Sequence, residues 1–145
     1  MPHQSPLSYE KQMQVAFHDL DPLHIVWHGN YMKYFDATRF ALFLSVGIDM
    51  YRYYLETNVL FPVTKTSIKF VHPLQYRDDF ICGARVVETR HRIVIDFTIR
   101  LVTNNTLCAK ARSEQVAVLM PERELALEIP ADIRKKLTPS PGPQP

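Results

Sequence analysis

The chain has 145 residues, 46% of them hydrophobic, with 17 Lys+Arg against 15 Asp+Glu, which suits one domain built on a single core. Charged residues make up 22% and the formal net charge is +2, so neither a disordered charged tail nor a basic face for DNA is indicated. Only four glycines occur, Gly29, Gly47, Gly83 and Gly142, and no G-x-x-x-x-G-K or G-x-G-x-x-G loop can be written, which excludes the phosphate-cradling nucleotide folds.

The opening Met1-Pro2-His3-Gln4-Ser5-Pro6 has neither the basic nor the apolar region of a secretory signal. No apolar run approaches the roughly 18 residues of a membrane span, so no membrane span and a cytoplasmic setting are expected. Six of the eleven prolines lie at the two ends. The ordered domain is placed at residues 8–137, with flexible tails at 1–7 and 138–145.

From Tyr9 to Phe17 apolar and polar residues alternate, with Tyr9, Lys11, Met13, Val15 and Phe17 on one side. That period of two predicts a half-buried strand. Asp19-Leu20-Asp21-Pro22-Leu23 then breaks it, because Pro22 fixes its own φ and drives Asp21 out of the helical region. From about Asn30 the spacing changes to three and four, through Tyr31, Tyr34, Phe35, Thr38, Leu42 and Val46, which predicts a helix stopped by Gly47. Lys33, Asp36 and Arg39 form its polar stripe; the rest is apolar enough that enclosure is expected.

Strand patterns follow at Val59–Val71, Asp79–Glu88, Arg92–Val102 and Leu107–Met120, with turns at Thr89-Arg90-His91 and Asn104-Asn105. Asp132–Leu137 reads as a closing helical turn. One strand, one long buried helix and four strands on short turns predict an α+β hotdog fold: a twisted antiparallel sheet of about five strands wrapped around a central helix. Cys82 and Cys108 stand far apart without a second pair, and reduced core thiols are expected.

Standard catalytic motifs are missing: no G-x-S-x-G, no H-E-x-x-H, no C-x-x-C. His18, His24 and His28 crowd near Asp19 and Asp21, yet the segment offers no pair of ligands on one helical face, and no metal is expected. What it does offer is a carboxylate on a turn that faces the start of a buried helix about seven residues later. Free N–H groups at a helix start stabilise an oxyanion, and a carboxylate beside them can attack a thioester carbonyl or position water. Local turn acceptors are the plainer reading of both aspartates.

The run Asp19-Leu-Asp21-Pro-Leu-His-Ile-Val-Trp-His-Gly-Asn-Tyr31, followed by an aromatic helix containing Asp36-Ala37-Thr38-Arg39, closely resembles the 4-hydroxybenzoyl-CoA thioesterase family. The resemblance implies a hotdog fold and hydrolysis of an acyl-CoA or acyl-carrier-protein thioester without a cofactor. It makes Asp21 the catalytic carboxylate and puts His28 at the helix start, where the backbone N–H polarises the carbonyl and the imidazole counts as a site residue. Asn30 and Tyr31 match the motif as substrate-side residues, with helix cap and core aromatic as their structural alternatives. Asp19 reads as a structural turn acceptor.

Two positions depart from the family pattern. Phe17 replaces a common tyrosine, and His24 replaces a common glycine and so enters the substrate-binding set. The resemblance also implies a homodimer or homotetramer with sites at subunit interfaces and basic residues on the nucleotide phosphates, for which Arg90 and Arg92 at a hairpin tip are the candidates. A hotdog hydroxyacyl-thioester dehydratase and a non-catalytic acyl-thioester binding module are the alternative functions.

Overall fold

The computed structural model describes residues 6–139; the outer parts of both expected tails lie outside it. In chain order the strands are β1 (Ser8–Gln14), β2 (Val59–Leu60), β3 (Val63–Phe70), β4 (Asp79–Glu88), β5 (Ile93–Leu101), β6 (Leu107–Gln115), β7 (Val118–Leu119) and β8 (Glu124–Leu125). The helices are α1 (Tyr31–Ser45), α2 (Met50–Thr57) and α3 (Ala131–Leu137). An antiparallel five-stranded sheet of order β1-β4-β5-β6-β3 curls around α1, as the sequence predicts.

Alternation along each strand explains the sheet's two faces. Phe80, Cys82, Ala84 and Val86 of β4 and Ile93, Ile95, Phe97 and Ile99 of β5 are buried. They pack against Tyr34, Phe35, Leu42 and Phe43 of α1; Phe35 and Phe97 lie 4.9 Å apart between ring centres. Ile129, Ile133 and Leu137 join the same core. Cys82 and Cys108 are both free and buried. The predicted turn at Asn104-Asn105 closes on Asn105 at φ +59°, with its N–H donating to Leu101 O at 3.0 Å.

The structure corrects the sequence reading at several points. β1 ends at Gln14, and Phe17 is 75% exposed rather than inward, because the chain leaves the sheet through a 3-10 turn at Phe17–Asp19. α2 was not foreseen; Asp49 caps it by accepting from the N–H groups of Tyr51 and Arg52, and Asn58 ends it in the left-handed region. The strand expected at 59–71 is two, broken around Phe61 and Pro62, and β2 leaves the main sheet to form a small sheet of order β2-β7-β8. The strand expected at 107–120 divides in the same way into β6 and β7.

Arg39, placed on the polar stripe by spacing, is only 4% exposed. Its guanidinium pairs with Asp36, donates to Ser113 Oγ at 2.7 Å and lies 5.4 Å from the Phe97 ring centre, so the positive charge is carried inward by three specific contacts. Nor is α1 enclosed on every side in the single chain: Met32, Phe40 and Leu44 remain exposed.

Candidate active site

Residues 15–30 form one hydrogen-bonded unit at the end of the sheet where β1, β3 and β5 finish. Leu20 and Val26 pair as an isolated bridge, and between them Asp21 N–H donates to Ile25 O and His24 N–H to Asp21 O, both at 2.9 Å. Asp21 Oδ1 accepts from Leu23 N–H at 2.8 Å, an Asx turn that Pro22 favours by presetting its own φ. Oδ2 has no hydrogen-bond partner among the described residues. His24 sits at φ +64°, the left-handed region that suits glycine and is uncommon for other residues.

Asp19 joins this hairpin to the helix. It is 3% exposed, and its carboxylate accepts from Tyr34 Oη at 2.8 Å, Lys33 Nζ at 2.5 Å and Ala16 N–H at 3.3 Å. Its backbone carbonyl accepts from Trp27 N–H at 3.0 Å and Asn30 Nδ2 at 2.8 Å. Burial alone would push the Asp19 carboxyl up, but the hydrogen bonds from Lys33, Tyr34 and Ala16 outweigh it and hold the group below its ordinary value. Burial and the same carboxylate push the Tyr34 hydroxyl well above the usual phenol range. One residue thus fixes both flanks of the Asp21 hairpin against the first turn of α1.

That first turn begins as a 3-10 turn at His28–Asn30 that runs into Tyr31. The N–H groups of His28 and Gly29 have no acceptor among the described residues, as expected for the leading donors of a helix. Gly29 makes room here for the Trp27 indole, which a Cβ would meet at 2.3 Å and displace. Trp27 lies 5.3 Å from the His28 ring, and Phe70, at the end of β3, lies 6.5 Å from it edge-on. The imidazole therefore neighbours two exposed aromatic rings.

Of the residues singled out by sequence, Asp21, His24 and His28 come together at this end. Asn30 and Tyr31 serve the framework. Asn30 does not cap α1 through its side chain but donates to the Asp19 carbonyl. Tyr31 is 2% exposed and its hydroxyl accepts from Leu74 N–H at 3.3 Å, the position of a core aromatic.

Arg90 and Arg92 lie at the opposite end of β4 and β5, separated from the Asp21 end by the nine residues of β5, roughly 30 Å at strand rise. Arg90 is paired with Glu128 at 3.4 Å, and Arg92 with Glu88 at 3.4 Å and Glu114 at 2.6 Å. Within one chain neither is a nucleotide contact of this site. Phe70 and Lys33 were missed. Phe70 reaches the site across the fold from a distant strand, with no local signal, whereas Lys33 follows the motif and its partner Asp19 is fourteen residues away.

A sequence model of the thioesterase superfamily matches residues 23–108. The chain belongs to that superfamily. The match begins two residues beyond Asp21 and takes in His24 and His28. The chain is 26% identical over 132 residues to the 4-hydroxybenzoyl-CoA thioesterase of Pseudomonas sp. strain CBS-3, covering 86% of this chain and 94% of that one. It is also 26% identical over 129 residues to a chloroplastic acyl-acyl carrier protein thioesterase of Arabidopsis thaliana, covering 88% of this chain and 66% of that one. The solved 1,4-dihydroxy-2-naphthoyl-CoA thioesterase from Synechocystis superposes with a TM-score of 0.83 at 19% identity, over 90% of this chain and 95% of that one. The fold is the hotdog fold, and membership makes the chain a thioester hydrolase.

Proposed function

We propose that the chain hydrolyses an acyl-CoA or acyl-carrier-protein thioester, with Asp21 as nucleophile or general base and the start of α1 as the oxyanion site. The observation that carries this reading is a carboxylate with one oxygen unclaimed, on a hairpin that Asp19 ties to the open N–H groups of His28 and Gly29. With the thioester oxygen against those N–H groups, fixed dipoles stabilise the charge that develops on it. Asp21 then attacks the carbonyl carbon, expelling the thiolate and leaving a mixed anhydride that water hydrolyses; alternatively it takes a proton from the water that attacks the same carbon. Either route ends in free acid and thiol, requires the carboxylate form of Asp21, and uses no cofactor. His24 and the His28 imidazole border the acyl group.

The relatives act, by their names, on CoA and on carrier-protein thioesters, and both carriers belong to the proposal. So does a homodimer or homotetramer with sites at subunit interfaces. β3 is an edge strand; antiparallel pairing of two β3 edges would set the Val63 end of one chain beside the Phe70 end of the other and bring the partner's hairpin tip towards Asp21. Exposed Met32, Phe40 and Leu44 on α1 supply apolar surface for such an assembly. No described helix is long and apolar enough to cross a membrane, and two free buried thiols suit the reducing cytoplasm proposed for the chain.

Thiol release from a panel of aromatic and aliphatic acyl-CoAs, with wild type and Asp21→Asn side by side, tests the reading. Turnover that falls about 100-fold or more in the variant is expected. A variant that keeps more than about a tenth of wild-type kcat removes Asp21 from the chemistry. No turnover of any acyl-CoA or acyl-carrier protein refutes hydrolysis and leaves the binding-module reading.

A further inference from the structure

The end of the sheet that carries Asp21 also exposes six large apolar side chains. Phe17 and Leu23 are 75% and 74% exposed, and Trp27, Phe70, Val71 and Tyr76 about half. They form one strip. The Phe17 ring meets Tyr76 edge-on at 5.8 Å, and Gln75 beside it pairs with Ile25 of the hairpin that carries Leu23. Trp27 and Phe70 both neighbour the His28 ring. Side chains of this size and exposure leave roughly 600 Å² of apolar surface, at the upper end of the largest patch on a typical monomer.

We propose that this end rests on a phospholipid surface, so that the Asp21 site opens towards acyl chains dissolved there. The docking stands on the strip itself; what it delivers rests on the thioesterase reading. The six residues stand on turns and strand ends rather than in a groove: Phe17 on a 3-10 turn, Leu23 inside the Leu20–Val26 hairpin, Tyr76 on the connection from β3 to β4. Trp27 and Tyr76, rings with one polar edge, mix there with Phe and Leu, the residue set that sits at a lipid–water boundary.

Charge is complementary as well. Lys69 beside Phe70 and Arg77 beside Tyr76 have no carboxylate partner among the described residues, and the Arg77 guanidinium lies 5.4 Å over the Tyr76 ring. Such side chains lay their stems along apolar surface and carry the charge outward, here to lipid phosphates. His18, His24 and His72 are exposed at the same end. Besides Asp21 its carboxylates are Asp79 and Asp78, and Asp78 accepts from Gln75 N–H.

β1 and β3 are opposite edges of the sheet. Phe17 follows β1, and Tyr76 precedes β4, the partner of β1, so both stay clear of a pairing between β3 edges. In such a dimer the two Asp21 ends point opposite ways, and each docks on its own.

The test sediments the protein with vesicles of mixed phosphatidylcholine and phosphatidylglycerol, as wild type, as Phe17→Ser/Tyr76→Ser and as Leu125→Ser/Leu127→Ser. The last pair is exposed elsewhere, next to the His91 hairpin tip, and serves as control. Wild type and control sediment alike, and Phe17→Ser/Tyr76→Ser partitions at least about tenfold more weakly. A long-chain acyl-CoA dissolved in the vesicles is turned over faster by wild type than by that variant in the same proportion, whereas a short-chain acyl-CoA in free solution is turned over equally by both.

No sedimentation of wild type, equal partition of wild type and Phe17→Ser/Tyr76→Ser, or an equal loss in the control overturns the proposal. A variant that partitions like wild type but loses turnover of acyl-carrier protein assigns the strip to protein docking instead. One that changes oligomeric state assigns it to an interface between copies. If wild type turns over no thioester, hydrolysis fails, and sedimentation still decides whether this end binds lipid.

Discussion

Replacing Asp19 by alanine removes three hydrogen bonds at once, from Tyr34 Oη at 2.8 Å, Lys33 Nζ at 2.5 Å and Ala16 N–H at 3.3 Å. Tyr34 is buried, and leaving its hydroxyl unpaired costs about 1–3 kcal/mol. Lys33 contributes less, because its side chain is 53% exposed and a solvated pair is worth at most about 1 kcal/mol. With the Ala16 bond added, the loss comes to about 2–5 kcal/mol, a large share of the 5–15 kcal/mol typical of a domain.

Asp19→Asn keeps one acceptor and loses the charge, so its cost is smaller and depends on pH. The folded carboxyl lies below its ordinary value, while the unfolded one titrates near 3.9. The charge therefore stabilises the fold fully above about pH 4, and that contribution is lost as pH falls through the folded pKa. Urea unfolding at pH 7 and at successively lower pH measures the gap between wild type and Asp19→Asn. A gap that is constant down to about pH 5 and closes below about pH 4 is expected. The reasoning fails if Asp19→Ala loses less than about 1 kcal/mol, or if the Asn gap is unchanged at pH 3.

Gly29→Ala forces the Trp27 indole off its seat; kcat for thioester hydrolysis should drop at least tenfold with the fold retained, read from initial rates and the far-UV spectrum. His24→Gly relieves a left-handed backbone and should raise stability by up to about 1 kcal/mol in denaturant titrations, while any change in acyl preference shows whether the imidazole lines the acyl group. Arg39→Ala strands the buried Ser113 hydroxyl and opens a gap beside Phe97, at a cost of about 3 kcal/mol. Arg39→Met, which keeps the stem, should lose roughly half as much, and equal losses would place the effect in the charge rather than the packing.

Where local periodicity and tertiary packing agreed, the sequence was a good guide. β4 and β5 alternate cleanly and occupy the predicted segments, and α1 runs from Tyr31 to Ser45 much as its spacing indicates. α2 was hidden because Tyr51, Tyr53 and Tyr54 are strand-favouring residues, and only the Asp49 cap betrays the helix. Arg39 misled because spacing assigns a face without knowing that Ser113 and Phe97 wait on the inward side. The turn at Asp21 and the helix start that follows His28 were legible because turn chemistry and helix spacing are local. Phe70 and the separation of Arg90 and Arg92 from Asp21 depend on which ends of the strands coincide, and strand register appears in no short window of sequence.

The seat of the indole on Gly29 has an optical consequence. Trp27 is the sole tryptophan of the chain, and it stands half in solvent, 5.3 Å from the His28 ring. Intrinsic fluorescence excited at the indole band therefore reports on this one doorway. A ligand that covers this ring would shield it from water and move its emission to the blue. The protein carries its own unlabelled gauge of this corner, placed beside the His28 ring at the start of α1.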